Sequence, residues 1–146
     1  MEAYEFIENH ELVLAAFGRW PGFHDGEVHK MLLDRTRQLP NGKYYASVEL
    51  FIRGWNMVGP ATNEYLYRLE NDSLVHFLFE HVSDLELDGL NTQNVISGLD
   101  FNLSENPGEN APTLIIEVNH CYGLSGGFKA LRASVISVTP IVASCG

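Results

Sequence analysis

His24-Asp25-Gly26-Glu27-Val28-His29 places four ionisable side chains within six residues. On a strand, Asp25, Glu27 and His29 share one face at about 6.6 Å per two-residue step. Imidazole with carboxylates is a ligand set for zinc or non-haem iron. A metal site needs about three convergent ligands or more, and the other histidines at hand, His76, His81 and His120, are scattered along the chain. The alternative is that His24 and Asp25 hydrogen-bond the turn backbone and fix the start of the first strand. The residues favour this structural role, so no metal ligand and no cofactor is assigned. A metal-binding protein or small enzyme centred on His24, Asp25, Glu27 and His29 is the competing reading.

Asp84-Leu85-Glu86-Leu87-Asp88-Gly89 resembles the opening of a calcium loop, but the bidentate Glu such a loop needs at its end is replaced by Val95. Leucines alternating with acids suit a strand with one wet face instead, carrying three carboxylates that could receive Arg or Lys from a partner. Gly123-Leu124-Ser125-Gly126-Gly127 fits the G-x-S-x-G nucleophile pattern, but no His or acidic residue follows Ser125 to complete a triad. A glycine-rich hairpin turn explains it better. Cys121 and Cys145 form no C-x-x-C pair, and no phosphate-cradling glycine loop opens a helix. Tyr44, Tyr45, Phe51 and Trp55 could line a small-ligand site, although the tryptophans Trp20 and Trp55 read as core or sheet-edge residues. No catalytic constellation stands out, and the chain is not expected to be an enzyme.

The elements that carry these residues are mostly strands. Residues 4–17 predict a helix stopped by Gly18, and Trp20-Pro21-Gly22 turns the chain. Segments 27–35, 44–53, 73–80, 83–88, 98–104, 113–119 and 127–138 are short, apolar and bounded by Gly, Pro, Asn or Asp. Ala46, Val48, Leu50 and Ile52 alternate with Tyr45, Ser47, Glu49 and Phe51, the pattern of a half-buried antiparallel strand. Pro40-Asn41-Gly42 predicts a hairpin turn. Tyr65–Leu69 fits either a strand or a helical turn, Asn91–Ile96 a short helix, and Asn106–Asn110 a loop. The expected architecture is one α+β domain over residues 1–146, with a largely antiparallel sheet of about six or seven strands, an N-terminal helix and one short helix.

Composition is consistent with that architecture. The 146 residues are 45% apolar and 11% aromatic, and mean hydropathy is -0.07, which argues against disorder. No apolar run approaches the about 20 residues that span a bilayer, and the first residues lack the basic region of a signal peptide. With two cysteines, the simplest compartment is the cytoplasm with both thiols reduced. Net charge is -10, and its distribution is uneven. Residues 69–128 hold ten acids and no Lys or Arg, while the remaining nine acids match the nine bases. One-signed charge repels nucleic acid and anionic lipid and attracts a basic protein. Glu80, Asp84, Glu86, Asp88 and Asp100 are therefore the candidate partner contacts. Oligomeric state is open, a homodimer included.

Phe17-Gly18-Arg19-Trp20-Pro21-Gly22-Phe23-His24-Asp25-Gly26-Glu27-Val28 resembles the opening motif of the immunity protein 50 family of bacterial polymorphic toxin systems. Val82–Leu87 running into Asn91-Thr92-Gln93-Asn94-Val95-Ile96 is similar to a second part of that pattern, and Tyr122-Gly123-Leu124 to a third. The shared residues include Trp20, Pro21, Phe23, His24, Asp25, Glu27, Gln93 and Asn94. Gly26 stands where Ala is usual and Leu90 where Phe is usual, and Gly26 is expected to loosen the turn. The resemblance implies a protein that binds and neutralises a cognate toxin, with no established catalytic residues.

Overall fold

The computed structural model describes residues 2–58, 68–104 and 112–141. A 3-10 turn, Ala3–Phe6, precedes helix α1, Glu11–Phe17. Eight strands follow: β1 Glu27–Gln38, β2 Tyr44–Val58, β3 Arg68–Glu80, β4 Ser83–Asp88, β5 Val95–Ser104, β6 Thr113–Tyr122, β7 Ser125–Ala130 and β8 Arg132–Pro140. They form one antiparallel sheet in the order β4-β7-β6-β5-β1-β2-β3-β8. The fold is α+β and mostly sheet, as expected. Residues 65–67, the Asn106–Asn110 loop and Cys145 lie outside the described residues.

Three expectations are corrected. The single N-terminal helix is two pieces, because Glu8 leaves the helical path to bridge Ser134. Its N–H donates to the Ala133 carbonyl at 2.9 Å, its carbonyl accepts from Val135 at 2.8 Å, and Asn9 turns the chain at φ 62°. Sheet hydrogen bonds outcompete the helix there. The short helix at Asn91–Ile96 does not form: Asn94 folds its amide onto the Asn91 backbone, an Asn preference that competes with helix, and Val95 already belongs to β5. The last expected strand, 127–138, is two strands divided at Leu131.

That division closes the sheet. β3 passes into β4 through His81 and Val82, and β7 into β8 through Leu131. Glu80 pairs with Arg132 and Ser83 with Lys129, so the four strands are the two rails of one bent ribbon. The ribbon joins β2 through β3 and β6 through β7, so the strands run in a circuit through β5 and β1 with β4 and β8 left as edges. Its narrowest seam is between β1 and β5, which share the single ladder pair Glu27–Val95.

Inside the circuit, Phe77, Phe79, Leu50, Ile52, Leu114 and Ile116 are fully buried. Burying each such side chain contributes about 1.5–3 kcal/mol. Phe77 and Phe79 pack with Phe101 and Phe128 through ring centroids 5.1–6.2 Å apart, an arrangement that favours aromatic pairs. Ile7, Val13 and Phe17 bury the inner face of the N-terminal segment against this core. Gly18 ends α1 in the left-handed conformation (φ 77°), its N–H on the Leu14 carbonyl, a favoured glycine stop.

Candidate interaction surface

Residues 22–28, 94–99 and Gly123, far apart in sequence, meet at the β1–β5 seam. Asp25 N–H donates to the Ile96 carbonyl, Ile96 N–H to the Gly26 carbonyl and Val28 N–H to the Asn94 carbonyl, each at 2.9 Å. Leu99 N–H donates to the Gly22 carbonyl at 3.0 Å. The Asn94 side chain accepts from Asn91 N–H and donates to the Asn91 carbonyl, both at 2.8 Å. Gly123 (φ 86°) approaches so closely that a Cβ there would lie 2.7 Å from Asn94 Oδ1. Asn94 is buried, while Gln93 is exposed.

Phe23 and Asp25 sit at φ 56° and 61°, uncommon for residues with a Cβ. Surrounding contacts hold them there. Gly26 N–H returns to the Phe23 carbonyl at 2.8 Å, and the buried Phe23 ring lies over Gly54, where a Cβ would come within 2.7 Å of it. A Cβ on Gly26 would lie 2.8 Å from the Phe23 carbonyl and 3.0 Å from that of Arg53. Glycine at this position is therefore a steric fit and not merely a source of looseness. Pro21 is buried, and Trp20 stacks on Tyr4 at 4.8 Å and meets Phe101 edge-on.

The ionisable part of the motif does not converge. His24 and Asp25 lie in the turn ahead of β1, so Asp25 is not in strand register with Glu27 and His29. His24 Nδ1 is 3.2 Å from Asp25 Oδ2, with side chains 75% and 41% exposed. Backbone bonds hold the turn. Among the described residues no three His, Cys, Asp or Glu side chains are grouped to hold a metal ion. Tyr45 and Phe51 do not open a ligand site either, since they stack on His81 and His76 at 4.5 and 4.0 Å. Gly123-Leu124 is the turn between β6 and β7, and Ser125 opens β7.

Charge is divided between two sides of the sheet. On β1, β2, β3 and β8, bases meet acids. Arg53 binds Asp72 through two bonds of 2.9 and 2.6 Å, which raises the guanidinium pKa further above its ordinary value. Arg132 reaches Glu8 at 3.2 Å and Glu80 at 3.8 Å. Glu49 accepts His76 at 2.9 Å and lies 4.0 Å from Arg37. Lys30 sits 5.1 Å from the centre of the Phe51 ring. Glu80, 14% exposed and also bonded by the Tyr45 hydroxyl, belongs to this balanced network.

The side formed by β4, β7, β6 and β5 is different. Directly opposed residues share a face, and the register places Asp100 opposite Glu117, Glu117 opposite Gly127, and Gly127 opposite Glu86. This is a row of carboxylates running across the sheet, with Asp88 beside it on β4 opposite Ser125. Asp100, Glu117, Glu86 and Asp88 are exposed. Asp100 Oδ2 accepts from Asn119 Nδ2 at 2.5 Å. The one Lys or Arg on these four strands is Lys129, 3.3 Å from Asp84. A β-bulge between Ser83 and Glu86, with Asp84 at φ 54°, takes Asp84 out of the alternation, so the expected row along β4 is interrupted. Both faces of β4 are exposed, not one.

Sequence alone did not pick out Glu117. Its signal was present, since it is one of the ten acids in the base-free segment, but only register across three ladders brings it between Asp100 and Glu86. No family model, curated protein or solved structure matches this chain. No helix among the described residues is long and apolar enough to cross a membrane.

Proposed function

We propose that this chain is an immunity protein that binds and neutralises a cognate bacterial toxin. It acts in the cytoplasm by occlusion and has no catalytic activity of its own. The observation that carries the reading is the exposed row Asp100–Glu117–Glu86, with Asp88 beside it, on a face whose one Lys or Arg is Lys129. Such a face attracts a basic protein over about a Debye length and speeds its encounter. A toxin with a positive substrate groove, such as a nuclease, fits that field, and nucleic acid and anionic membrane do not. The resemblance to the immunity family supports the reading, with Phe23, Asp25 and Asn94 holding the seam as a scaffold and Val82–Leu87 carrying Glu86 of the acidic row.

The test is co-expression. The C-terminal domain of the nearest large secreted-protein gene is produced in a susceptible host with and without this chain. Restored growth together with co-elution of the two proteins is the expected result. A toxic domain that kills in the presence of soluble chain rejects that pairing.

A further inference from the structure

Four leucines occupy positions that the fold leaves uncovered. Leu33 pairs with Val48, and Met31 with Leu50, so both point to the side where Val48 and Leu50 are buried. Leu33 is nevertheless 56% exposed. Leu87 pairs with Gly126, which pairs with buried Val118, so Leu87 also faces the core side. Leu85 and Leu87 are each 36% exposed, and Leu90 is 72% exposed. Two adjoining clefts of about 530 and 320 Å³ separate β1 from β4 and share Leu33 as a wall. Leu87 and Leu90 line the larger cleft, and Leu85 and Val82 the smaller. Among the described residues, β4 pairs with β7 alone and its other edge carries no strand.

We infer that this groove receives an extended segment of the protein partner, in which apolar residues alternate with lysine or arginine. The segment adds to the free edge of β4. Backbone pairing supplies the edge bonds, and every second side chain enters a pocket. On the inward side those side chains meet Leu33, Leu85 and Leu87. On the outward side they stand next to Glu86 and Asp88, where Lys or Arg is favoured across a strand pair. Charge excludes a second copy of β4 as the occupant. Antiparallel β4–β4 pairing sets the carboxylates of Glu86 and Asp88 against their own kind, and like charges directly opposed are destabilising. The inference deepens the immunity reading and takes from it only that the partner is a basic protein.

The probe is a labelled peptide of about seven residues alternating Lys with Val, compared with an isomer of the same composition carrying its Lys and Val in two blocks. The alternating peptide is expected to bind the full chain, with the block isomer and the Leu85→Glu and Leu87→Glu variants about tenfold weaker or more. Circular dichroism checks that the variants are folded, and Leu90→Glu, at the most exposed of the four sites, serves if either is not. Equal binding of the two peptides, undiminished binding by folded variants, or no binding of the alternating peptide overturns the inference. So does a wild-type dimer that Leu87→Glu converts to monomer, which gives the groove to a second copy. Growth rescue without peptide binding removes the groove and leaves immunity standing; peptide binding without rescue does the reverse.

Discussion

Val28 N–H reaches the Asn94 carbonyl at 2.9 Å, while the Asn94 side chain spends its own oxygen and nitrogen on the backbone of Asn91. One buried residue thus holds both strands of the narrowest seam in the sheet. Replacing it by alanine leaves an N–H and a carbonyl of Asn91 without their side-chain partners. Asn94→Ala is expected to lower unfolding free energy by about 1–3 kcal/mol, read from urea denaturation.

Glycines 26 and 54 test the same seam by addition instead of removal. A Cβ at either position lands within 3.0 Å of atoms of Phe23, which is itself buried and held at positive φ. Gly26→Ala and Gly54→Ala each reduce stability by about 1–3 kcal/mol through overpacking. A stabilisation of about 0.4–1 kcal/mol, the entropic gain of an unstrained Gly→Ala change, is the contrary outcome at Gly26. Thermal denaturation separates the two.

The acidic row sets one carboxylate against another where Asp100 faces Glu117. Like charges opposed across strands are unfavourable, so Glu117→Gln is expected to raise stability by about 0.2–1 kcal/mol at low salt. The gain shrinks as salt rises. The combined variant Glu86→Gln, Asp88→Asn, Glu117→Gln is expected to slow association with a basic partner and flatten its salt dependence, measured by stopped flow. An unchanged rate removes this face from the interface.

Asp34 is a carboxylate held in its charged form by its own turn. The Thr36 N–H and then the Thr36 hydroxyl, both 2.7 Å from its Oδ1, hold it below the ordinary Asp value. A folded pKa below the unfolded one stabilises above the unfolded value, and that contribution is lost as pH falls through the folded pKa. Carbon-detected titration of Asp34 should give a midpoint below the ordinary value. Thr36→Val, which keeps the backbone donor, should move it part of the way back.

Strands with alternating or continuous apolar character were legible from residue type: β2, β4 and β6 start where the alternation and turn signals place them. The division at Leu131 was not, because it depends on which partner each half finds: Lys129 pairs with Ser83 and Arg132 with Glu80. The break in the N-terminal helix was hidden for the same reason, since it is made by Ser134 and its neighbours. At the candidate interface, composition exposed the acids of residues 69–128 but not their arrangement. Glu80, close in sequence to Asp84, ends in a different network, while Glu117 joins the row from β6, two strands from β4 in the sheet.

The bent ribbon also sets the order in which this chain can become safe from aggregation during synthesis. β1, β2 and β3 form a meander that needs only local hairpins, and β5 with β6 forms another. Until β7 and β8 leave the ribosome, β3 and β6 each present a naked edge, with Phe77, Phe79 and Ile116 on strands paired along one edge only. Unpaired edges on apolar strands recruit other chains. Residues 125–140 act as the clasp, and a nascent chain stalled before them has its sheets formed and its sticky sides open.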